Sequence, residues 1–134
     1  MTITNILPNI LVSFKTNYNN QNAYAVLRYN SLCLEILFLL YKDGLIDNYR
    51  IDLKTKKVSV KLKYLKNKPL IMDYFLLSKP SHKIYTDFKS TKNLNSKYDY
   101  FCISTSSGIL SSRDLEFKNQ IGGQLLFAFK LNQN

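Results

Sequence analysis

The chain has 134 residues, 46% of them hydrophobic, which suits one domain or two small lobes sharing one unit. Nineteen Lys and Arg against nine Asp and Glu give a formal net charge of +10; this points to a polyanionic partner, nucleic acid or an anionic membrane surface, and says nothing of the fold. The membrane reading is weak, because the longest apolar run, Leu32–Tyr41, is broken by Glu35 and falls well short of the ~20 residues that span a bilayer.

Residues 2–14 lack a charged start followed by an unbroken apolar segment, so no secretory leader is expected. Ile3, Ile6, Leu7, Ile10, Leu11 and Phe14 instead recur at spacings of three and four, which place them on one helical face. Pro8 belongs in a first turn, so this helix is expected to start close to it. The Asn-rich stretch 16–22 reads as a polar loop, and Ala23–Tyr29 as a short strand. Asn30–Ser31 supply an N-cap and Gly44 a C-cap for a second helix. Within it Cys33, Ile36, Leu37 and Leu40 lie at i, i+3, i+4 and i+7. Leu34, Phe38 and Leu39 make that helix apolar nearly all round, so it is expected to be mostly buried.

Tyr49, Ile51 and Leu53 alternate with polar residues, as do Val58, Val60, Leu62 and Tyr64, predicting two half-buried strands joined by a turn around Lys54–Lys56. Lys56, Lys57, Lys61, Lys63, Lys66 and Lys68 make this the most basic part of the chain. It is either a solvated sheet face and hairpin tip or a phosphate-facing surface. Asn67–Pro69 predicts a turn. Leu70–Leu77 predicts a buried strand or a linker, with a lobe boundary near Asp73, giving lobes of 1–72 and 73–134. Ser78–Ser81 predicts a turn, Lys83–Tyr85 a strand, and residues 86–97 a polar loop.

Tyr98–Ile103 predicts a strand that leads into four consecutive hydroxyls, Ser104, Thr105, Ser106 and Ser107, followed by Gly108. Small side chains and glycine let a partner approach the backbone closely. Hydroxyls and free N–H groups bond to phosphates, sugars and base edges, so in a basic chain this loop suggests a contact with nucleic acid. Ser111-Ser112-Arg113-Asp114 matches a capping box opening a short helix that ends near Gly122. Arg113, in its first turn, is expected to pair with Asp114 or Glu116, or to reach a phosphate. Leu125, Phe127 and Phe129 alternate on a last strand.

Little favours catalysis. Cys33 and Cys102 each lie in an apolar run and read as buried free thiols; no C-x-x-C pair suggests zinc. His82 is the only histidine, in a different turn from the serines, and the loop lacks the G-x-S-x-G of a nucleophile elbow. No paired carboxylates or phosphate-binding glycine loop appear, so no enzyme activity, cofactor, metal or small-molecule substrate is expected. Of the ten tyrosines one or two are expected to be exposed, Tyr85 first among them. The cations are nearly all Lys, and Asn, Ile, Tyr and Phe are abundant, a usage that AT-rich codons favour.

Several segments resemble one family together. STSSGILSSRD resembles the STSKG(I/V)(M/L)TDRE signature of bacterial-type small-subunit ribosomal protein eight. Downstream, IGGQLLF is similar to that family's (V/L)GGE(V/I)LC. Upstream, SKPSHKIY resembles its SRPG-x-RIY, and KDGLI its KEEGFI. The resemblance covers nearly the whole chain, most strongly 70–130.

It implies an α+β protein with an N-terminal lobe of two helices and a small sheet, and a C-terminal, mainly β lobe with one short helix. It implies binding to the central domain of small-subunit rRNA, among neighbouring ribosomal proteins. By match, the RNA contacts would be Ser104, Thr105, Ser106, Ser107, Gly108, Gly122, Gly123, Lys79 and Tyr85, with Asn30 and Ser31 from the first lobe. Ser107 replaces the usual Lys, Ser81 the Gly after Pro80, and Gln124 the Glu after the glycine pair. The codon usage and the loss of family-typical cations favour a protein made and used in a mitochondrion; a plastid or the cytoplasm of an AT-rich bacterium is the alternative. A free-standing RNA-binding regulator of the same fold is the other functional reading.

Overall fold

A computed structural model describes residues 3–78, 84–86, 94, 97–106, 108–114 and 123–132. The chain divides into two compact units, Met1–Leu70 with Asn132–Asn134, and Ile71–Leu131.

The first unit runs α1 (Ile3–Asn19), β1 (Tyr24–Arg28), α2 (Ser31–Lys42), β2 (Ile46–Asp52), β3 (Lys57–Leu62), β4 (Tyr64–Leu65) and β5 (Lys68–Pro69). Helix α1 begins before Pro8 and ends well past Phe14, so both expected ends are corrected. Pro8 removes one i→i−4 hydrogen bond near the start of the helix. Burial of Ile6, Leu7, Ile10, Leu11 and Phe14 on either side of it offsets that loss. At the other end Tyr18, four residues after Phe14, carries the apolar face into the Asn-rich stretch. Its buried hydroxyl donates to the Lys63 carbonyl at 2.9 Å, and burial pushes its phenol far above the ordinary range.

Helix α2 starts where its caps predict. The Asn30 side chain accepts the Leu32 N–H at 2.9 Å, and Gly44 follows the helix at φ +82°. Cys33, Ile36, Leu37, Leu39 and Leu40 are buried, whereas Phe38 and Tyr41 face solvent. Burial also pushes the Cys33 thiol up to about 11. The Lys63 ammonium donates to the Gly44 carbonyl at 3.1 Å, so this half-buried lysine braces the end of α2.

Strands pair antiparallel in the order β1-β3-β2. Val58, Val60 and Leu62 of β3 are buried together with Ala25 and Leu27 of β1, as alternation predicts. On the edge strand β2 the alternation misleads: Ile51 is 40% exposed, and Leu53 just beyond the strand is 72% exposed. Alternation reports which face a residue is on, not whether anything covers that face. Lys66 and Asn67 both have positive φ (52° and 64°), so the turn lies between β4 and β5, one residue earlier than expected.

The second unit contains β6 (Ile71–Leu76), β7 (Tyr85–Thr86), β8 (Tyr100–Thr105), β9 (Gly108–Ser111) and β10 (Gly123–Leu131). The sheet order is β6-β10-β8-β9, with β7 also pairing β10. Strand β6 lies on an edge with Met72 and Phe75 exposed, so the buried strand expected there is half exposed. Strand β10 is the spine: Leu125, Leu126, Phe127, Ala128 and Phe129 are buried in succession, five residues filling both faces of the sheet. Leu125 and Ala128 pack with Phe101, Ile103 and Leu110, while the Phe129 ring meets Phe127, Tyr74 and Tyr100. Two helices and antiparallel sheets make the fold α+β, as predicted. Among the described residues, no helix is long and apolar enough to cross a membrane.

Candidate nucleic-acid interface

The hydroxyl stretch is not a loop between a strand and a helix. Ser104 and Thr105 end β8, Gly108 begins β9, and the two strands form a hairpin closed by the pair Thr105–Gly108. Strand β9 escapes sequence reasoning because its four residues are too few to establish a period. The hairpin is held from inside: the Thr105 hydroxyl donates to the Gly108 carbonyl at 2.8 Å. Gly108 sits at φ +110°, a conformation L side chains rarely adopt. Thr105 therefore shapes the hairpin end, while Ser106 is exposed there.

Beyond β9 the capping box forms as written. The Ser111 N–H donates to Asp114 Oδ2 at 3.2 Å, and the Asp114 N–H donates to Ser111 Oγ at 3.3 Å. The helix it was expected to open lies outside the described residues. The Arg113 guanidinium stands over the Tyr100 ring, 5.8 Å from its centroid.

Register assembles residues far apart in sequence. Tyr85 on β7 is opposite Gln124 on β10, Gln124 is opposite Ser104 on β8, and Ser104 is opposite Ile109 on β9. Residues directly opposite share a face, so Tyr85, Gln124, Ser104 and Ile109 form one transverse row. Tyr85 is 69% exposed. Its strand is set in place by Ser78, whose buried hydroxyl donates to the Ile84 carbonyl (3.2 Å) and accepts the Ile84 N–H (2.9 Å), and by the Leu125 N–H, which donates to the same carbonyl (2.8 Å). Gln124 Nε2 is buried and has no hydrogen-bond partner among the described residues.

Gly123 has a packing reason of its own. A Cβ there would run into the Ser104 carbonyl oxygen and lie 3.2 Å from Thr105 Cγ2. The glycine lets β10 run close behind the hydroxyl-bearing end of β8. Gln124 is the residue that the hydroxyl motif alone does not single out; the signal for it is its place next to Gly123 on a strand facing that motif.

Of the other expected contacts, Asn30 uses its side-chain oxygen to cap α2, and Ser31 is exposed at the first turn of that helix. Both belong to the first unit. Lys79, Ser107 and Gly122 lie outside the described residues.

The arrangement offers hydroxyls and an exposed ring at one end of a sheet in a strongly basic chain. Among the described residues, no group of His, Cys, Asp and Glu could hold a metal ion. Such a chain has the make-up of a protein that grips a polyanion. The sequence profile of one family, ribosomal protein S8, matches residues 5–129, and the chain belongs to that family. Its members are structural, rRNA-binding proteins of the small ribosomal subunit. No curated protein sequence matches the chain.

Proposed function

We propose that this protein is a constituent of a small ribosomal subunit that binds the central domain of the small-subunit rRNA, supports subunit assembly and so serves translation. The observation that carries the reading is the β8–β9 hairpin backed by Gly123, with Ser104, Gln124 and Tyr85 in one row. RNA displays its sequence where bases are unpaired, because the major groove of its helices is deep and narrow. A sheet edge carrying the Ser104 and Ser106 hydroxyls suits unpaired base edges and 2′-OH groups; Tyr85 offers a ring for stacking. Cations elsewhere on the chain supply attraction that depends on salt and not on sequence. With Ser107 where relatives carry a lysine, recognition at the tip rests on hydrogen bonds more than on charge. Residue usage and the thinned set of cations favour a mitochondrial ribosome.

The double variant Ser104→Ala/Ser106→Ala should bind a central-domain rRNA fragment more weakly by ~1–3 kcal/mol, the scale of lost specific polar contacts. Its binding to random RNA should barely change; equal loss on both would remove the hairpin as a reader. In gradient sedimentation at moderate salt the wild-type protein should travel with small subunits. Recovery only in low-mass fractions would favour a free-standing regulator. Co-fractionation with mitochondria tests the compartment.

A further inference from the structure

The sheet of the first unit has one face packed with Ala25, Leu27, Val58, Val60 and Leu62, and one face left open. Register writes out the open face in three transverse rows: Tyr24–Lys61–Asn48, Val26–Ser59–Arg50 and Arg28–Lys57–Asp52. Tyr24 and Val26 are more than half exposed, and Arg28, Arg50, Lys57 and Lys61 are all exposed. The face thus carries four cations and one carboxylate. That carboxylate, on Asp52, is turned into the β2–β3 turn, where it accepts the Lys54 N–H at 3.0 Å and a hydrogen bond from the Thr55 side chain. Around the first two rows lies a shallow hollow of about 490 Å³ lined by Tyr24, Asn48, Tyr49, Arg50, Ser59 and Lys61.

We propose that this open sheet face is a second RNA-binding surface, which takes a short unpaired stretch with a base on the Tyr24 ring and phosphates on Arg50 and Lys61. Charge selects a polyanion, and the remaining groups select its kind. An acidic peptide would use the cations and leave the Tyr24 ring idle. A nucleotide uses both, because every base has a π-face that stacks on an aromatic side chain. The Asn48 side-chain oxygen already accepts the Tyr49 N–H at 2.8 Å, which leaves its NH₂ as a donor for a base acceptor. The Ser59 hydroxyl stands in the adjacent row, between Val26 and Arg50. Adjacent strands are ~4.8 Å apart, so ring, lysine and amide of the first row fall within the span of one nucleotide. Lys63, which braces α2, has no part in this surface.

The inference rests on the RNA-binding reading of the chain but uses none of the hairpin residues. The test is fluorescence anisotropy of the full chain with labelled decauridine. Tyr24→Ala should weaken binding about ten-fold, the scale of one stacked base, with an unchanged salt slope. Tyr24→Phe should bind like wild type. Arg50→Gln/Lys61→Gln should reduce the salt slope by roughly 1.4, about 0.7 for each phosphate contact on a single strand. The losses from Tyr24→Ala and from the double cation variant should persist in full in a Ser104→Ala/Ser106→Ala background, so failure of the hairpin reading and failure of this one are read from different variants. Unchanged decauridine affinity in Tyr24→Ala and in the double cation variant, both with wild-type melting curves, would overturn the proposal. So would a decaglutamate peptide that displaces decauridine at equal concentration and binds Tyr24→Ala as well as wild type, since the surface would then be a site for an acidic protein segment.

Discussion

Strand β3 of the first unit and strand β10 of the second are both central in their sheets, and they are buried in opposite ways. In β3 every second side chain is inside: Val58, Val60 and Leu62 are covered, whereas Ser59 and Lys61 look outward. In β10 five successive side chains from Leu125 to Phe129 are inside. The first sheet therefore spends one face on stability and keeps the other for chemistry at the surface. The second fills both faces over most of its length, and its polar groups gather where the apolar run stops, at Gln124, Ser104 and the hairpin end. A sheet with one open face presents an area; a sheet filled on both faces presents an edge.

The comparison breaks most visibly at Phe127, whose ring is fully buried 4.9 Å from that of Phe129. Phe127→Ala should cost ~4 kcal/mol in urea unfolding, the usual scale for a core phenylalanine. Ser59→Ala, on the open face of β3, should stay within ~0.5 kcal/mol. Similar costs for the two would mean that β10 is not filled on both faces. Next is Gly123→Ala. Its Cβ would meet backbone, which cannot swing aside as a side chain does, so a loss of ~2–3 kcal/mol is expected. Because β10 must back away from Ser104, the same variant should disturb the amide signals of Ser104 and Thr105 in NMR spectra; unmoved signals would separate Gly123 from the hairpin.

In the first unit Tyr18→Phe removes the hydrogen bond to the Lys63 carbonyl and should cost ~1 kcal/mol by the same unfolding measurement. A pH dependence of stability appears only at alkaline pH. The Cys33 thiol is held neutral by burial up to about pH 11, whereas in the unfolded chain a cysteine ionises near 8.5. The folded state keeps its proton longer, so its contribution to stability is intact below ~8.5 and is lost as pH rises toward 11. Cys33→Ala should flatten that part of the stability–pH curve, and an unchanged slope would assign it to other groups.

How much of this is legible in the sequence follows from how local each signal is. Helix α2 carries its period between an asparagine that caps it and a glycine that ends it, so its limits can be read residue by residue. The end of α1 beyond Phe14 hides because asparagines suggest a loop, while Tyr18 alone continues the apolar spacing. Ile51 and Leu53 follow the pattern of a covered strand and are exposed, because cover is a property of neighbours and not of the strand. At the candidate interface the hydroxyl run is plain in the sequence. That Ser104 shares a row with Gln124 and Tyr85 is not, since it depends on register among three separate segments. The reason for Gly123, a carbonyl where a methyl would go, likewise appears only in three dimensions.

Gly108 stands apart from Gly123 in a way that bears on handedness. Nothing lies within 4 Å of where its Cβ would be, so space does not oppose a side chain; its φ of +110°, which strains an L residue, does. That objection is chiral. A D-alanine is the mirror image of its L form and is at ease where an L residue is strained. The Phe101–Cys102 bond is a natural junction for joining two synthetic segments, which makes the substitution accessible. A chain with D-alanine at this position should keep the β8–β9 hairpin, whereas L-alanine should loosen it. The end of the hairpin thus strains an L side chain by stereochemistry alone, while a small side chain of the opposite hand would fit.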